Sequence, residues 1–354
     1  MALVYSRLKI FHFPDKIASL PHGSGRVLAP LQVRLKPTNV CNHRCSYCAY
    51  DNDDLQLGNG MQPRDSIPAD KMMEIIDDII EIGVKAVTFS GGGEPFVYPH
   101  LLSAVRRLAQ SEVQFASLTN GSRLQGELAE IFSARGTWLR VSLDGWDGAS
   151  YAAYRRVPET EFAKVLGNME AFRRLGGACF LSVIINVDEH NALHVYETIA
   201  KLADIGVQSI KVAPIIYSND CQVNHAHHER LFAPVNEQVA RATSEFGGVE
   251  VSNSYQAQLT SFAKSYTWCP YIQIRPVIAA DLNVYSCHDK AYSLEKGLLF
   301  SLKDQRFKEA WFSHAETFFS INPSVDCNHH CMVSDNNKML LEYLHADPDH
   351  MAFV

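Results

Sequence analysis

The chain has 354 residues, a formal net charge of −7 and 47% hydrophobic residues. This length fits about two domains, or one barrel with an appendage, and the hydrophobic content is sufficient for a large core. The mild acidity without a strong basic run argues against a nucleic-acid partner, and no apolar run reaches the ~18 residues of a membrane span.

Nine cysteines are present, and their distribution bears on the cellular compartment. In a small secreted chain this number would indicate disulfides. Here the chain is large, most of the cysteines are clustered, and the first ten residues lack the apolar core and cleavage site of a signal peptide. We therefore expect metal binding rather than disulfides, and a cytoplasmic location.

Short β-type runs alternate with amphipathic helical runs from about residue 33 to residue 215. The runs are apolar on both phases, as expected for parallel strands that are covered on both faces. The predicted strands are Val33–Thr38, Ala86–Ser90, Gln114–Thr119, Leu139–Asp144, Leu181–Val187 and Ser209–Ala213. The predicted helices are Ala69–Ile82, Pro99–Gln110, Gly126–Arg135, Glu161–Leu175 and Asn191–Ile205. Six repeats are fewer than the usual eight and predict an α/β fold with a partial (β/α)6 TIM-like barrel.

The alternating pattern weakens after Pro214. Residues 228–246 are predicted to be helical, and residues 250–354 contain turn signals, short strands and four further cysteines. We therefore predict three parts. Residues 1–32 form an N-terminal lead-in, residues 33–225 form the barrel, and residues 226–354 form a linker helix and a small α+β domain around a metal.

Cys41, Cys45 and Cys48 form a C-x3-C-x2-C loop directly after the first predicted strand. In a barrel, the loops that follow the strands form the face that carries the chemistry. Three thiolates in one short loop can hold a [4Fe–4S] cluster by three of its four irons, so the fourth iron is open to a small molecule. A structural zinc site, with His43 as a fourth ligand, is the alternative.

A glycine-rich turn ends the second predicted strand and reads Ser90-Gly91-Gly92-Gly93-Glu94-Pro95. Glycines let a ligand approach the backbone, and Glu94 supplies a carboxylate for an amine. The alternative is an ordinary flexible turn between a strand and a helix. A glycine-rich turn alone is weak evidence, but its position one βα unit after the cysteine loop favours a ligand site.

Together these motifs resemble those of the radical S-adenosylmethionine (radical SAM) superfamily. The matching residues are Cys41, Tyr47, Cys45, Cys48, Gly92–Pro95, Leu118–Gly121 and Val141–Gly145. The resemblance covers roughly residues 30 to 215. It implies an open iron that chelates SAM, and a one-electron cleavage to methionine and a 5′-deoxyadenosyl radical that abstracts a hydrogen atom from the substrate.

The resemblance also implies contacts to the cofactor. The candidate residues are Tyr47, Gly92, Gly93, Glu94, Ser142, Asp144 and Arg155. By this likeness, Glu94 is the charged partner of the SAM amine, and Tyr47 marks a backbone contact to adenine. Ser142 and Asp144 lie where ribose hydroxyls are held. Arg155 is a candidate for the methionine carboxylate, which a guanidinium can bind through two nitrogens, and a surface ion pair is its alternative.

Four further cysteines follow residue 260 and are Cys269, Cys287, Cys327 and Cys331. The first two flank a predicted hairpin with strands Ile272–Pro276 and Asn283–Ser286. Four thiolates can fully ligate a [4Fe–4S] cluster. A four-cysteine zinc site and unrelated buried thiols are the alternatives.

The arrangement resembles the auxiliary-cluster domains called twitch and SPASM that follow some radical SAM barrels. Four cysteines fit the one-cluster twitch domain better than the seven-cysteine SPASM domain. Asn283 stands at the hairpin turn where the family usually has glycine, and Asn tolerates left-handed geometry better than most residues. His329 and His330 lie between the last two cysteines, so a histidine ligand or an open iron is an alternative.

By this resemblance, an auxiliary cluster accepts an electron from the substrate radical or helps to hold the substrate. We therefore expect a radical SAM oxidoreductase that acts on a polar small molecule such as a sugar, cyclitol or nucleotide. Net dehydrogenation is the leading outcome, and epimerisation and dehydration are alternatives. Asp289 and Asp281 are candidate bases, each with an ordinary turn residue as its alternative. A flavodoxin or ferredoxin is implied as the external reductant.

Two other functions are consistent with parts of the sequence. The first is maturation of a ribosomally synthesised peptide, although the forty residues before Cys41 are too few for a leader-binding domain. The second is a non-catalytic iron–sulfur or zinc protein, which the glycine-rich turn and the large barrel disfavour.

Overall fold

The computed structural model describes residues 5–52, 55 and 59–353. The first four residues of the predicted lead-in, residues 53–54 and 56–58 of the predicted barrel, and the last residue of the predicted auxiliary part lie outside the described residues. In the described part of the chain, no helix is both long and apolar enough to cross a membrane.

A sheet of ten strands organises the described residues. The strands are β1 (Gln32–Leu35), β2 (Ala86–Phe89), β3 (Gln114–Thr119), β4 (Trp138–Ser142), β5 (Phe180–Val187), β6 (Ser209–Pro214), β7 (Glu250–Asn253), β8 (Val277–Ile278), β9 (Asn283–Tyr285) and β10 (Leu298–Ser301). Strands β1 to β7 are neighbours in chain order, and each adjacent pair is parallel. This confirms the predicted α/β barrel-like fold and adds a seventh parallel strand, β7, to the six predicted.

Helices connect the parallel strands. The α-helices are α1 (Pro14–Ala18), α2 (Ala69–Glu81), α3 (Leu101–Ala109), α4 (Gly126–Arg135), α5 (Gly148–Arg155), α6 (Thr160–Arg174), α7 (Val195–Ile205), α8 (Cys221–His228), α9 (Phe232–Glu245), α10 (Tyr271–Ile274), α11 (Phe307–Ser313), α12 (Pro323–Asp326) and α13 (Ser334–Leu344). Short 3-10 helices span Arg7–His12, Pro95–Val97, Glu229–Leu231, Ala257–Leu259, Ala315–Phe319 and Pro348–His350. The apolar face of α2, including Met72, Ile75 and Ile79, is fully buried in the main core.

The two faces of the parallel sheet differ in character. On β1, Val33 and Leu35 belong to the apolar core, whereas Arg34 between them points to the other face because successive side chains alternate. On β6, Ile210 and Val212 lie in the core, while Lys211 lines a cavity. The expectation of strands apolar on both faces is therefore wrong at these strands, since their inner face carries cations.

The C-terminal segment extends the sheet of the barrel. Strand β8 pairs in parallel with β1, and β8, β9 and β10 continue as antiparallel neighbours. The backbone N–H of Lys36 donates to the carbonyl of Ile278 at 2.8 Å and so links the end of β1 to β8. On the opposite edge, β7 and α9 pack on the barrel, although they fall within the predicted 226–354 part. The predicted domain boundaries stay a prediction.

The predicted hairpin is displaced along the chain. Residues 271–274 form α10, so the predicted strand Ile272–Pro276 is wrong, because a short apolar run does not distinguish a strand from a buried helical turn. The hairpin strands are β8 and β9. The left-handed residue at their turn is Leu282, with φ of 64°, whereas Asn283 already belongs to β9.

Candidate cluster and cofactor site

A cavity of about 430 Å³ lies at the carboxyl ends of the parallel strands. The loops after β1 and β2 and the ends of β3 to β6 line one side. His288, Asp289, His329, His330 and Met332 of the C-terminal segment also contribute to the lining. The loops at the carboxyl ends of barrel strands are the place where such folds carry their chemistry.

The cysteine loop follows β1 and lies in this cavity. Cys41, Cys45 and Cys48 all contribute to its lining. The backbone N–H of Cys48 donates to the carbonyl of Cys45 at 3.1 Å, so the loop turns back on itself. The sequence-predicted triad is thus assembled on one wall of the cavity.

Helix α5 holds the cysteine loop through its last carbonyl groups. The N–H of Arg44 donates to the carbonyl of Arg155 at 3.0 Å, and the N–H of Ser46 donates to that of Tyr154 at 2.8 Å. Carbonyls in the last turn of a helix have no partner inside the helix, so they are free to accept such bonds. Helix α5 was not predicted, although Asp147 and Ser150 form a capping box that marks its start in the sequence.

The protonation of the thiols supports a metal-bound state. Burial raises the pKa of the Cys41 thiol to about 11, and burial also raises the pKa of Cys48. The neighbouring sulfurs of the triad act in the same direction, because like charges oppose ionisation. Three thiolates so close together in one loop therefore need a compensating cation, and the irons of a [4Fe–4S] cluster would supply it. The donor set fits this cluster.

His43 does not reinforce the zinc alternative. Its Nε2 lies 3.6 Å from Oε1 of Glu161 on α6, and its ring packs edge-on against Tyr151. Across residues 5–52, 55 and 59–353, no group of three or more His, Cys, Asp or Glu side chains is arranged to hold a metal ion, and this finding applies to the cysteines as much as to His43.

The glycine-rich turn lies directly against the start of the cysteine loop. The N–H of Glu94 donates to the carbonyl of Val40 at 3.0 Å. A Cβ atom on Gly92 would lie 2.2 Å from Oδ1 of Asn39, and one on Gly93 would lie 2.1 Å from the carbonyl oxygen of Val40. Gly93 is therefore required by the neighbouring backbone and Gly92 by the side chain of Asn39, in addition to the ligand approach that the sequence predicts.

Glu94 is buried behind this turn and lines the cavity. Its carboxylate accepts hydrogen bonds from the N–H of Phe96 at 3.0 Å, the hydroxyl of Thr119 at 2.6 Å and the N–H of Asn120 at 2.6 Å. A carboxylate has about four acceptor positions, so about one remains for an amine. Burial raises the pKa of Glu94, and these three bonds oppose that rise.

The remaining predicted cofactor contacts separate into two groups. Ser142, Arg155 and Tyr47 line the cavity, whereas Asp144 is absent from the described residues that line it. The buried Asp144 carboxylate accepts bonds from Tyr47, from Arg155 and from the N–H of Asn186 at 2.8 Å. This placement gives no support to the predicted ribose contact of Asp144 and instead gives it a structural partner in Arg155.

The four C-terminal cysteines also come together. Burial raises the pKa of Cys287 well above its usual value, and the thiols of Cys269, Cys327 and Cys331 add to the shift because they lie close by. The amide of Asn337 on α13 donates to Sγ of Cys269 at 3.1 Å. This convergence supports the prediction that these four thiols share one metal centre.

The histidines and aspartates near these cysteines occupy different places. His288, Asp289, His329 and His330 line the same cavity as the cysteine triad. Asp281 lies in the β8–β9 turn, where its carboxylate accepts from the hydroxyl of Tyr285 at 2.6 Å. The structure therefore supports Asp289 rather than Asp281 as a group that reaches a substrate. His329 and His330 were predicted only as alternative metal ligands, and no role was predicted for His288.

Replacing Cys287 by serine is expected to halve the iron content of the anaerobically reconstituted protein, from about eight to about four irons per chain. The reason is that a serine hydroxyl is a poor ligand for a buried iron–sulfur cluster, while the cluster of the Cys41 loop is untouched. Iron and sulfide analysis measures the effect. Cys179→Ser is the matched control, since Cys179 is buried in the apolar core away from both groups. Unchanged iron in the Cys287 variant would contradict an auxiliary cluster.

Comparison with known proteins agrees with this geometry. Residues 35–202 match the family model of the radical SAM superfamily. The chain therefore carries a radical SAM domain over these residues. Members of this superfamily use a [4Fe–4S] cluster and S-adenosylmethionine.

Individual relatives are similar over different lengths. "GTP 3′,8-cyclase 2" of Pseudomonas aeruginosa is 33% identical over 147 residues, which are 41% of this chain and 42% of that protein. The chain thus spans less than half of this curated relative. "AdoMet-dependent heme synthase" of Methanosarcina barkeri is 20% identical over 337 residues, which are 88% of this chain and 90% of that protein.

Among solved structures, Streptococcus suis SuiB bound to S-adenosylmethionine is similar in fold. It superposes with a TM-score of 0.60 at 15% identity and covers 82% of this chain and 67% of SuiB. At this identity the likeness shows the fold alone, and it extends beyond the matched family segment into the C-terminal part of the chain.

Proposed function

We propose that this protein is a radical SAM oxidoreductase that removes two hydrogen atoms from a polar small molecule carrying an anionic group. The substrate lies between the Cys41 loop and the auxiliary segment. When bound, the cofactors supply a hydrogen-abstracting radical and a one-electron acceptor. The chain itself must orient the substrate, exclude water and accept a proton.

The single observation that carries this proposal is the shared cavity. The cysteine triad lines this cavity, and the segment that contains Cys287 and Cys331 contributes His288, Asp289 and His330 to the same lining. A substrate in this space contacts both segments. A polar wall of this kind favours a polar substrate, because its groups would otherwise lose their hydrogen bonds to water without replacement.

Asp289 is the residue that we propose as the proton acceptor. It lines the cavity and is only 8% exposed. Loss of one hydrogen atom and one electron from the substrate leaves one proton to remove, and a carboxylate within reach can take it. Epimerisation and dehydration are the alternatives, because neither needs the second electron to leave the substrate.

The position of Lys211 is evidence that the substrate carries an anionic group. Its side chain reaches the cavity from β6, and in the described part of the chain it forms no hydrogen bond or ion pair with a carboxylate. Arg140 on β4 and His330 are its charged or titratable neighbours. An ammonium that is not paired with a carboxylate in a partly dry cavity is stabilised by a phosphate or carboxylate from the ligand.

Some relatives of the chain carry the name GTP 3′,8-cyclase, and this similarity favours a nucleotide as the polar small molecule. A peptide is the second candidate, because a solved neighbour is described as SuiB bound to its precursor peptide SuiA. We propose a flavodoxin or ferredoxin as the external reductant, and a cytoplasmic location.

A substrate panel tests the proposed function. Anaerobically reconstituted protein with SAM and dithionite is offered GTP, guanosine, UDP-glucose, glucose, an aminocyclitol or an unmodified peptide, and 5′-deoxyadenosine is measured. We expect stimulation above the substrate-free rate by a phosphate-bearing compound and little by its neutral counterpart. Stimulation by the peptide or by neutral compounds alone would contradict the proposal. Mass spectrometry of the active compound then distinguishes a loss of 2 Da, which dehydrogenation requires, from no change or loss of water.

Lys211→Met is expected to raise KM for the active compound by about tenfold or more, since a hydrogen bond to a charged group contributes about 1.5–3 kcal/mol. Burial and Arg140 lower the pKa of Lys211 to about 8. The ammonium is therefore present below pH 8 and lost above it, so KM of the wild type should rise as the pH increases through 8. Lys211→Arg keeps its charge and is the matched control that should abolish this rise. A flat KM–pH profile for the wild type would contradict the assignment.

A further inference from the structure

Arg155 reaches the Cys41 loop with both its backbone and its side chain. We propose that Arg155 is a positioning residue that donates a hydrogen bond to the ligand sulfur of Cys45 and thereby raises the reduction potential of the cluster in this loop. This inference goes beyond the proposed reaction and rests on the iron–sulfur site that the radical SAM domain implies.

The buried carboxylate of Asp144 holds the guanidinium group of Arg155 in place. Nη2 of Arg155 donates to Oδ2 of Asp144, and both residues are nearly inaccessible, with 4% and 1% exposure. The other oxygen of Asp144 accepts from the N–H and the side-chain amide of Asn186, at 2.8 and 3.1 Å. Tyr47, in the loop itself, donates its hydroxyl to Asp144. The carboxylate is thus fixed by three separate segments.

A fixed carboxylate fixes the direction of the guanidinium. Because the group is planar and rigid, anchoring one terminal nitrogen determines where the other points. Nη1 lies 3.4 Å from Sγ of Cys45, within hydrogen-bond reach of a sulfur acceptor. The rings of Tyr47 and Tyr151 each lie with their centroid 5.7 Å from the guanidinium carbon. These contacts leave the side chain little freedom to turn elsewhere.

The backbone of Arg155 also holds the cysteine loop against α5. Its carbonyl accepts from the N–H of Arg44, which immediately precedes Cys45. Side chain and main chain of one residue therefore hold adjacent residues of the cluster loop. A shift of α5 would move the sulfur and its donor together, so the contact is maintained.

The electrostatic consequence follows from the charge of the cluster. Reduction adds one negative charge, part of which resides on the sulfurs. A buried cation that donates to a ligand sulfur stabilises this reduced form more than the oxidised form, and hydrogen bonds to the sulfurs are a known determinant of cluster potential. Arg155 therefore makes the first electron transfer from an external donor easier.

The sequence suggested a different role for Arg155, namely binding of the methionine carboxylate. Two of its nitrogens are committed to Asp144 and Cys45, and among the described residues only its Nε has no hydrogen-bond partner and is left for a ligand. The two roles have different signatures. A sulfur donor changes the potential before any SAM is present, whereas a carboxylate ligand changes the affinity for SAM only.

The experiment is an EPR-monitored redox titration of the cluster without SAM, in holoenzyme with measured iron content. The signal of the Cys41 loop cluster is identified as the one that SAM addition alters. We expect a lower midpoint potential for the double variant Asp144→Asn/Arg155→Gln, which replaces the ion pair by two neutral amides and removes the donor charge. Arg156→Gln is the matched control because Arg156 is the next residue, carries the same charge and is exposed, and it should leave the potential unchanged.

An unchanged midpoint in the double variant would overturn the proposal, whether or not SAM affinity falls. An equal decrease in Arg156→Gln would also overturn it, because the effect would then be one of general charge. If the double variant binds less iron, Arg155→Lys decides. Lysine can still pair with Asp144 but has no second nitrogen for Cys45, so its midpoint should also fall, and a wild-type value would refute the sulfur contact.

Discussion

Cys45→Ser is expected to abolish the reductive cleavage of S-adenosylmethionine. The serine hydroxyl does not ionise near neutral pH and cannot replace a thiolate on iron, so the cluster loses one of its three protein ligands. Loss of an outer-shell partner alone weakens a metal site by up to about 100-fold. Loss of a direct ligand should therefore reduce 5′-deoxyadenosine formation by more than about 100-fold. The product is measured after anaerobic reconstitution with SAM and dithionite.

Cys221→Ser provides the matched control for this variant. The thiol of Cys221 donates to the carbonyl of Leu259 at 3.2 Å, and a serine hydroxyl can make the same bond. Its cleavage rate should equal that of the wild type. Cleavage at the wild-type rate in Cys45→Ser would show that the loop does not hold the catalytic cluster.

Gly93→Ala has the second largest expected effect. The added Cβ would lie 2.1 Å from the carbonyl oxygen of Val40 and 2.5 Å from the carbonyl carbons of Val40 and Asn39. These are backbone atoms of the segment that leads into Cys41, so they cannot turn aside as a flexible side chain could. The cysteine loop must shift, at a cost of about 1–3 kcal/mol in overpacking. We expect a lower thermal midpoint together with loss of iron and of SAM cleavage.

Gly167→Ala is the matched control for the glycine substitution. Gly167 lies inside α6, and a Cβ there would have no heavy atom within 4 Å. Alanine in a helix interior is more favourable than glycine by about 0.5–1 kcal/mol, so this variant should be slightly more stable and fully active. A Gly93→Ala protein with the iron content and cleavage rate of the wild type would contradict the close approach of the two loops.

Strongly periodic elements were predictable from the sequence. Strand β3 and helix α4 have the predicted bounds, and the other predicted elements of the barrel differ by a few residues at their ends. Their buried faces repeat regularly over many residues, which is the most reliable signal in a sequence. The cysteine spacing and its distance from the glycine-rich turn identified the site for the same reason, because each is a local pattern.

Contacts between distant parts of the chain were not predictable. The pairing of β8 with β1 places Arg34 beside Val277, although more than half of the sequence separates them. Neither strand has a sequence pattern that identifies the strand with which it pairs. Strand β7 has only four partly exposed residues, too few for a recognisable alternation. The role of Asp144 depends on the position of α5, a short helix whose only strong signal is its capping box.

The polar inner face of the barrel is a further difference with a physical cause. Lys211 lies between the apolar Ile210 and Val212 on its strand, and a sequence pattern cannot show which of the two alternating sets of side chains faces a cavity. In the structure the side chain of Lys211 lines the cavity, and for this reason Lys211 is a candidate substrate contact.

The most direct test of the central claim is EPR spectroscopy of the anaerobically purified and reduced protein, with and without SAM, combined with metal analysis. If Cys41, Cys45 and Cys48 hold a [4Fe–4S] cluster with one open iron, SAM should change the cluster signal in the wild type and in Cys287→Ser, and Cys45→Ser should lack this response. Zinc in place of iron at the loop, or a cluster signal that does not respond to SAM, would contradict the account.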